Sequence, residues 1–341
     1  MPPHEVLGNY SIDSVDQNGL TVDIPSPPPT PLKSQTHGDK TIYSRQELIY
    51  YAKCFTTTTN QERNSPVSIV LSIPSVLIRY GILLPIRLTT LTVSTVAFFT
   101  SLPVALALES KSMVSSLVKY YCKGILFSLG VLPSYEGQKP FLKEPHVFVA
   151  NHTSYLDYIV LSAHKYPCAV VMAKHQGALG FLQNNGLNYL NSMTFNRSDP
   201  EERKTLSKKL KNHVMSPMTW PNPMIIFPEG TCVNNQYTIR FQKGAFELGV
   251  KVCPVGIRYD NYYGTPYWDT RKGFLYYAFY RMTRWMTPIK VVYSSPQTSE
   301  QQEDSAQFGL RVKDIITNSI GLHSEDFNGM AKKDLLKVVQ L

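Results

Sequence analysis

Apolar positions in this chain follow two regimes. Between Val67 and Leu108 they run together. Val67–Ile78 carries no charge, and beyond Arg79 and Arg87 the run Leu88–Leu108 is again uncharged. A helical bilayer crossing takes ~20 residues, so the second run is about long enough. Thr89, Thr90, Thr92, Ser94, Thr95 and Pro103 weaken its hydrophobicity. Three structures fit this pattern. One is a pair of crossings. Another is a helical hairpin dipping into one leaflet, with Arg79 and Arg87 snorkelling to lipid phosphates. The last is a helix buried in a soluble core, which the low charge and the basic flanks disfavour.

From Lys111 onward short apolar runs alternate with amphipathic stretches. Val147–Ala150, a β-branched run ending at polar Asn151 and His152, predicts a buried strand that delivers a loop. Ala169–Ala173, Met224–Phe227 and Val252–Tyr259 predict further strands, the last carrying Pro254, which in isolation indicates an edge. Glu201–Val214 reads as a helix, with Asp199 as its cap and Pro200 in its first turn. Strands alternating with helices predict an α/β fold, a mixed sheet flanked by helices, behind an N-terminal membrane-embedded helical segment. The first residues differ from all of this. They carry Pro25–Pro31 (PSPPPTP) and few large apolar side chains, so residues 1–45 are expected to be a disordered Pro/Ser-rich arm. Within it Ser26 and Thr30 each precede a proline, as candidate phosphorylation sites. Residues 46–110 are the membrane-associated segment, 111–320 the catalytic domain and 321–341 a C-terminal tail.

Composition sharpens the picture. The chain has 341 residues, and its 43% apolar content excludes global disorder. Charged residues make up 17%, against ~25% in typical soluble proteins, which again points to a membrane. A net charge of +9 suits an anionic partner: nucleic acid, lipid headgroups or phosphorylated small molecules. The basic residues are dispersed and the aromatics sit among apolar neighbours, so a nucleic-acid platform is not expected. Cys54, Cys122, Cys168, Cys232 and Cys253 form no C-x-x-C and no metal-ligand spacing. No cleavable signal peptide opens the chain, so a reduced, cytosol-facing body without a metal is expected. Phe274–Met286, with Tyr276, Tyr277, Phe279, Tyr280 and Trp285 beside Arg281 and Arg284, reads either as an interfacial element or as a core helix.

Four segments carry candidate chemistry. In Asn151–Asp157 (NHTSYLD), His152 has the side chain suited to taking a proton from an alcohol near neutral pH. A carboxylate at Asp157, folded back onto the far ring nitrogen, would fix its tautomer and stabilise the imidazolium. Alone, the pair is as readily a surface histidine beside a helix cap. Phe227–Thr231 (FPEGT) places Glu229, Gly230 and Thr231 at a strand's carboxyl end, where α/β sheets bind ligands, although Pro and Gly also punctuate ordinary turns. Phe195 and Arg197 leave an apolar stretch, where a guanidinium clamps phosphate bidentately or is merely solvated. The strand Val252–Gly256 is the fourth.

In this order and at these intervals, the four segments resemble the blocks of the glycerol-phosphate and lysophospholipid acyltransferases. Ile78–Leu88 (IRYGILLPIRL), Phe227–Asn235 (FPEGTCVNN) and Phe241–Glu247 are most similar to the eukaryotic endoplasmic-reticulum glycerol-3-phosphate acyltransferases. The similarity runs from about Val76 to about Val312. The resemblance implies that residues 111–320 are an acyltransferase domain facing the cytosol from the endoplasmic-reticulum membrane. It implies acyl-CoA as co-substrate, no cofactor, and glycerol 3-phosphate or a lysophospholipid as acceptor. It assigns His152 and Asp157 to catalysis, with Phe195, Arg197, Glu229, Gly230 and Thr231 to substrate binding. His152 would deprotonate the acceptor for direct transfer, so Ser154 is no nucleophile. Lys243 is a further anion contact or a plain surface lysine. One position departs from the subfamily: Tyr155 stands where proline usually follows the serine, which leaves acceptor choice open. A thioesterase using the same pair would leave the Arg197 block without a role, and a non-catalytic scaffold would not need intact blocks.

Overall fold

The strand signals are strongest where both faces of a strand are covered, and the computed structural model of the protein bears this out. It describes residues 36–37, 40–57, 66–174, 180, 192–195, 200–216, 223–269 and 271–339. The chain divides into two compact units. The smaller holds strands β1 (Thr36–His37) and β2 (Lys40–Thr41), paired antiparallel, and helix α1 (Arg45–Tyr51). Ser44 and Glu47 start α1 with a capping box. The C-terminal residues 330–341 belong to this unit, where Leu335 is fully buried and the Lys332 ammonium lies 4.6 Å from the Phe55 ring centroid.

The larger unit begins with α2 (Pro66–Ile78), a π-helical turn (Arg79–Leu83) and α3 (Leu84–Ala107), which form one apolar helical run with a mean hydropathy of 1.7 over its best stretch. Only 11% of that stretch is buried, so the soluble-core alternative fails. Among the described residues one helix, not two, is long and apolar enough to cross a membrane by length and composition. Arg87 does not snorkel. It is buried and donates to backbone carbonyls, Nη1 to Met282 (2.7 Å) and Arg284 and Nη2 to Trp285 (2.7 Å). α4 (Lys111–Ser128) packs along α3, and Gly124 is where they touch, since a Cβ there would meet the Ser94 side chain.

The catalytic-size sheet follows: β3 (Val131–Glu136), β4 (His146–Ala150), helix α5 (Leu156–Ala163), β5 (Ala169–Ala173), β6 (Met193–Phe195), helix α6 (Pro200–Val214) and β7 (Met224–Ile226). After the short β8 (Tyr237–Thr238) come β9 (Lys251–Tyr259), helix α7 (Phe274–Met282), β10 (Thr287–Tyr293), helix α8 (Ser305–Ile320), β11 (His323–Ser324) and helix α9 (Lys332–Val339). Among the described residues the sheet order is β3-β10-β9-β4-β7-β5-β6, parallel except where β10 meets β9. This is the mixed, helix-flanked α/β sheet. β4 is buried throughout because its faces serve two cores: Phe148 and Ala150 join the side of α4 and α5, while Val147 and Val149 join the side of α6 and α8.

Pro254 does not mark an edge. β9 lies between β4 and β10. Its carbonyl accepts from Ser294 N (3.0 Å), one residue beyond the regular β10 pairing, so the missing N–H falls where that ladder ends.

Candidate active site

Three adjacent parallel strands, β9, β4 and β7, bring their carboxyl ends together, and each supplies a polar group there. From β4 the chain turns through Asn151 and His152 into α5. Asn151 is fastened across the sheet, its side chain exchanging hydrogen bonds of 2.8 Å with both backbone groups of Ile257 on β9. His152 follows with its ring 20% exposed, the accessible member of an otherwise enclosed group.

Asp157 lies in the first turn of α5, where the helix dipole favours a negative charge. It is fully buried. Its Oδ2 accepts from the backbone N–H of Thr153 (2.7 Å) and Ser154 (2.9 Å) and from His152 Nδ1 (2.9 Å). Its Oδ1 accepts from the Tyr259 hydroxyl at the end of β9. The loop is thus wound around the carboxylate, and Nδ1 must carry the proton. Nε2 is left as the basic nitrogen.

Glu229 anchors the same loop from β7. Its Oε2 accepts from His152 N (2.6 Å) and its Oε1 from Ile239 N (3.2 Å). Burial pushes its carboxyl up to about 8, against the pull of those two backbone donors. Gly230 follows at φ +69°, in the left-handed region that a side chain disfavours. Phe227 stacks on the His152 ring at 4.5 Å. Thr231 is half-buried and leads into Cys232, whose Sγ lies 3.3 Å from His152 Nε2. Burial opposes charge on His152. The Cys232 sulfur and the Asp157 carboxylate outweigh it and hold the imidazole well above its usual range.

Of the expected residues, His152, Asp157, Glu229, Gly230 and Thr231 meet in this one place. Phe195 ends β6, three strands along the sheet from β4, and Arg197 lies outside the described residues. Lys243 is a surface residue, 3.5 Å from Glu247 one turn on. Ser154 is buried, its Oγ accepting from Leu156 N (3.2 Å) and sharing a hydrogen bond with the Tyr277 hydroxyl (3.1 Å), far from a nucleophile's posture. Sequence reasoning missed Cys232 and Tyr259. Cys232 was findable as the next residue after FPEGT. Tyr259 was not, because only strand order places it beside Asp157.

Comparison with known proteins places this geometry. A family model described as Acyltransferase matches residues 133–258, which run from within β3 to nearly the end of β9 and include His152, Asp157 and Glu229. Glycerol-3-phosphate acyltransferase 3-like of Danio rerio is 32% identical over 306 residues, 86% of this chain and 67% of that protein. Glycerol-3-phosphate acyltransferase 4 of Mus musculus is 34% identical over 270 residues, 77% of this chain and 58% of that protein. Glycerol-3-phosphate acyltransferase 3 of Mus musculus is 33% identical over 301 residues, 86% of this chain and 68% of that protein. The matches thus span 58 to 68% of these relatives' lengths. The crystal structure of the 1-acyl-sn-glycerophosphate (LPA) acyltransferase PlsC from Thermotoga maritima overlays 69% of this chain and 96% of its own, with a TM-score of 0.45 at 18% identity. With 32 and 33% identity to the Danio rerio and Mus musculus type 3 enzymes over 86% of its length, this chain belongs to the family of the glycerol-3-phosphate acyltransferases 3 and 4.

Proposed function

We propose that this protein transfers a fatty acyl group from acyl-CoA to glycerol 3-phosphate, forming lysophosphatidate, at the cytosolic face of the endoplasmic-reticulum membrane. The observation that carries the reading is the His152–Asp157 pair: a buried carboxylate fixes Nδ1–H, so Nε2 is the base on the accessible side of the ring. Family membership supports the substrates, and the apolar run Ser72–Ala107 supports membrane residence.

In this mechanism Nε2 takes the proton of an acceptor hydroxyl as its oxygen attacks the thioester carbonyl carbon. Asp157 stabilises the imidazolium that forms. The C–S bond then breaks, and the departing CoA sulfur recovers the proton from His152. An ester and free CoA thiol result, with no acyl-enzyme and no cofactor. The acceptor oxygen meets Nε2 from the side that Cys232 Sγ occupies, so it displaces that contact. Glu229 holds the His152 backbone in register, Gly230 and Thr231 shape the pocket wall, and a backbone N–H supports the oxyanion. Arg197 is the residue we assign to the acceptor phosphate, which a guanidinium grips bidentately, and Phe195 is assigned to substrate binding. The test is to supply labelled acyl-CoA and glycerol 3-phosphate to the purified full chain. Labelled lysophosphatidate with one CoA thiol per ester is expected; thiol release with only free fatty acid would establish a thioesterase instead.

A further inference from the structure

Arg281 heads the fully buried side chains by volume, and it is a charge. It projects from α7 one turn beyond Tyr277, whose hydroxyl touches Ser154 in the loop between His152 and Asp157. Only Nη1 of its guanidinium is engaged, donating to the carbonyls of Thr265 (3.0 Å) and Gly264 (3.3 Å). Nε and Nη2 are enclosed and have no hydrogen-bond partner among the described residues. Among the described residues no carboxylate pairs with it; the Tyr280 ring lies 6.0 Å away, and Arg87, a second buried guanidinium, is near enough for the two to repel. Burying an unpaired cation is among the costliest arrangements in a protein.

The unengaged nitrogens form one edge of the planar group. This chain uses that same edge elsewhere to grip an oxyanion. Nε and Nη2 of Arg240 hold the two oxygens of Asp326 at 2.6 and 2.8 Å. Those of Arg311 hold Glu303 at 2.8 and 2.7 Å. At Arg281 the edge meets no acid among the described residues. A second orphan stands on the same side: the Tyr155 hydroxyl is buried without a partner among the described residues, and its ring lies 5.3 Å from that of Tyr277, one turn before Arg281 on α7. Tyr155 is also the residue at which the chain departs from its subfamily's usual proline. The outer face of α7 is apolar, with Leu275 and Tyr276 exposed, and its C-terminal end is held by Arg87 of the long apolar helix.

We propose that the Nε/Nη2 edge of Arg281, with the Tyr155 hydroxyl, is a binding site for a phosphate group. A planar fork with an added hydroxyl donor matches a tetrahedral oxyanion. The phosphate comes either from an anionic lipid headgroup or from a soluble phosphomonoester, and the assignment of either to catalysis rests on the acyl-transfer reading above. The fork is enclosed, so a ligand reaches it only when the packing around α7 opens.

The test reads binding rather than turnover. Thermal unfolding of the full chain in neutral-detergent micelles is followed with added inorganic phosphate, with glycerol 3-phosphate, and with micelles containing phosphatidate or uncharged diacylglycerol; chloride at equal ionic strength is the blank. The wild type is expected to gain Tm with a phosphate probe over its blank. Arg281→Lys keeps the charge but lacks the fork, and should need at least about tenfold more probe for the same gain. Tyr155→Phe leaves the loop carbonyls untouched and should need several-fold more, which keeps the test open if Arg281→Lys does not fold. A gain with both soluble probes identifies a soluble phosphomonoester, and a gain with phosphatidate alone identifies a lipid headgroup. No gain with any probe, or the same gain in Tyr155→Phe and any folded Arg281→Lys, overturns the proposal. Since no acyl transfer is measured, an inactive but phosphate-binding protein would refute the function and leave this site standing.

Discussion

Asp157 has no exposure to water, so its carboxylate must be met by protein, and the backbone of its own loop supplies two of its four donors. His152 is therefore oriented before any substrate arrives. His152→Ala should lower acyl transfer by ~10²–10⁴, the usual worth of a general base; near-wild-type turnover would refute the mechanism. The sign of the pH dependence follows from the raised pKa. His152 is the base only when neutral, so kcat/KM should climb as pH rises toward its folded pKa. Cys232 is one of the groups holding that pKa up, so Cys232→Ala should move this limb of the profile to lower pH. An unmoved limb would show that the sulfur has no electrical influence on the ring. At Arg197 the proposed role is narrower. Arg197→Ala should raise the apparent KM for the phosphorylated acceptor far more than that for acyl-CoA, and Arg197→Lys should restore it only in part, since an ammonium lacks the planar fork. Equal damage to both constants would make Arg197 structural.

Among the elements, α7 joins the apolar run to the catalytic loop. Its C-terminal carbonyls, which a helix leaves without partners, are met by arginines from the apolar helix: Met282 by Arg87, and Thr283 by Arg79 at 3.2 Å. Its Tyr277 reaches Ser154 at the other side. Arg87→Ala strips buried carbonyls of a charged donor and should cost about 3 kcal/mol of stability, since each such bond is worth about 1.5–3 kcal/mol. Arg79→Ala, removing one longer bond from a half-buried group, should cost less than half of that in the same detergent unfolding experiment. This arrangement marks the limit of what the chain's pattern discloses. The strands β4, β5 and β7 and helix α6 were legible because burial on both faces, or on one helical face, writes a period into the sequence. So was the His152–Asp157 pair, since both sit on one short loop. The pairing of Arg87 with α7 was not, because hydropathy records that an arginine is charged and says nothing about which distant carbonyls it meets. Pro254 misled for a related reason: a proline's missing donor matters only relative to a neighbouring strand, and strand order is a property of the folded sheet.

For the whole molecule, the open choice is the acceptor. Glycerol 3-phosphate and lysophosphatidate carry the same phosphate and the same reacting alcohol class, and differ by one acyl chain. A site made for the larger acceptor needs an apolar groove beside Nε2, where each buried methylene contributes ~0.8 kcal/mol. Among the described residues, the Tyr155 side of the His152 loop is instead packed with aromatic rings. Tyr155 packs against Trp268 and Phe274, with ring centroids 5.7 and 4.8 Å away, and against Tyr277 at 5.3 Å. Phe227 covers the His152 ring on its own side. This cluster leaves little room for a second chain alongside the catalytic loop and favours the compact acceptor. Supplied together at equal, sub-saturating concentrations with one labelled acyl-CoA, the two acceptors should therefore yield mainly lysophosphatidate. Replacing Tyr155 by alanine opens the cluster beside the loop and should raise the share of phosphatidate, since the vacated volume is lined by the rings of Trp268, Phe274 and Tyr277 and accepts an acyl chain. If the wild type instead makes mostly phosphatidate, the first acylation is the wrong step to assign to this chain, while His152 keeps the same proton to move. If Tyr155→Ala alters total rate but not the ratio of products, acceptor size is read somewhere other than this aromatic wall.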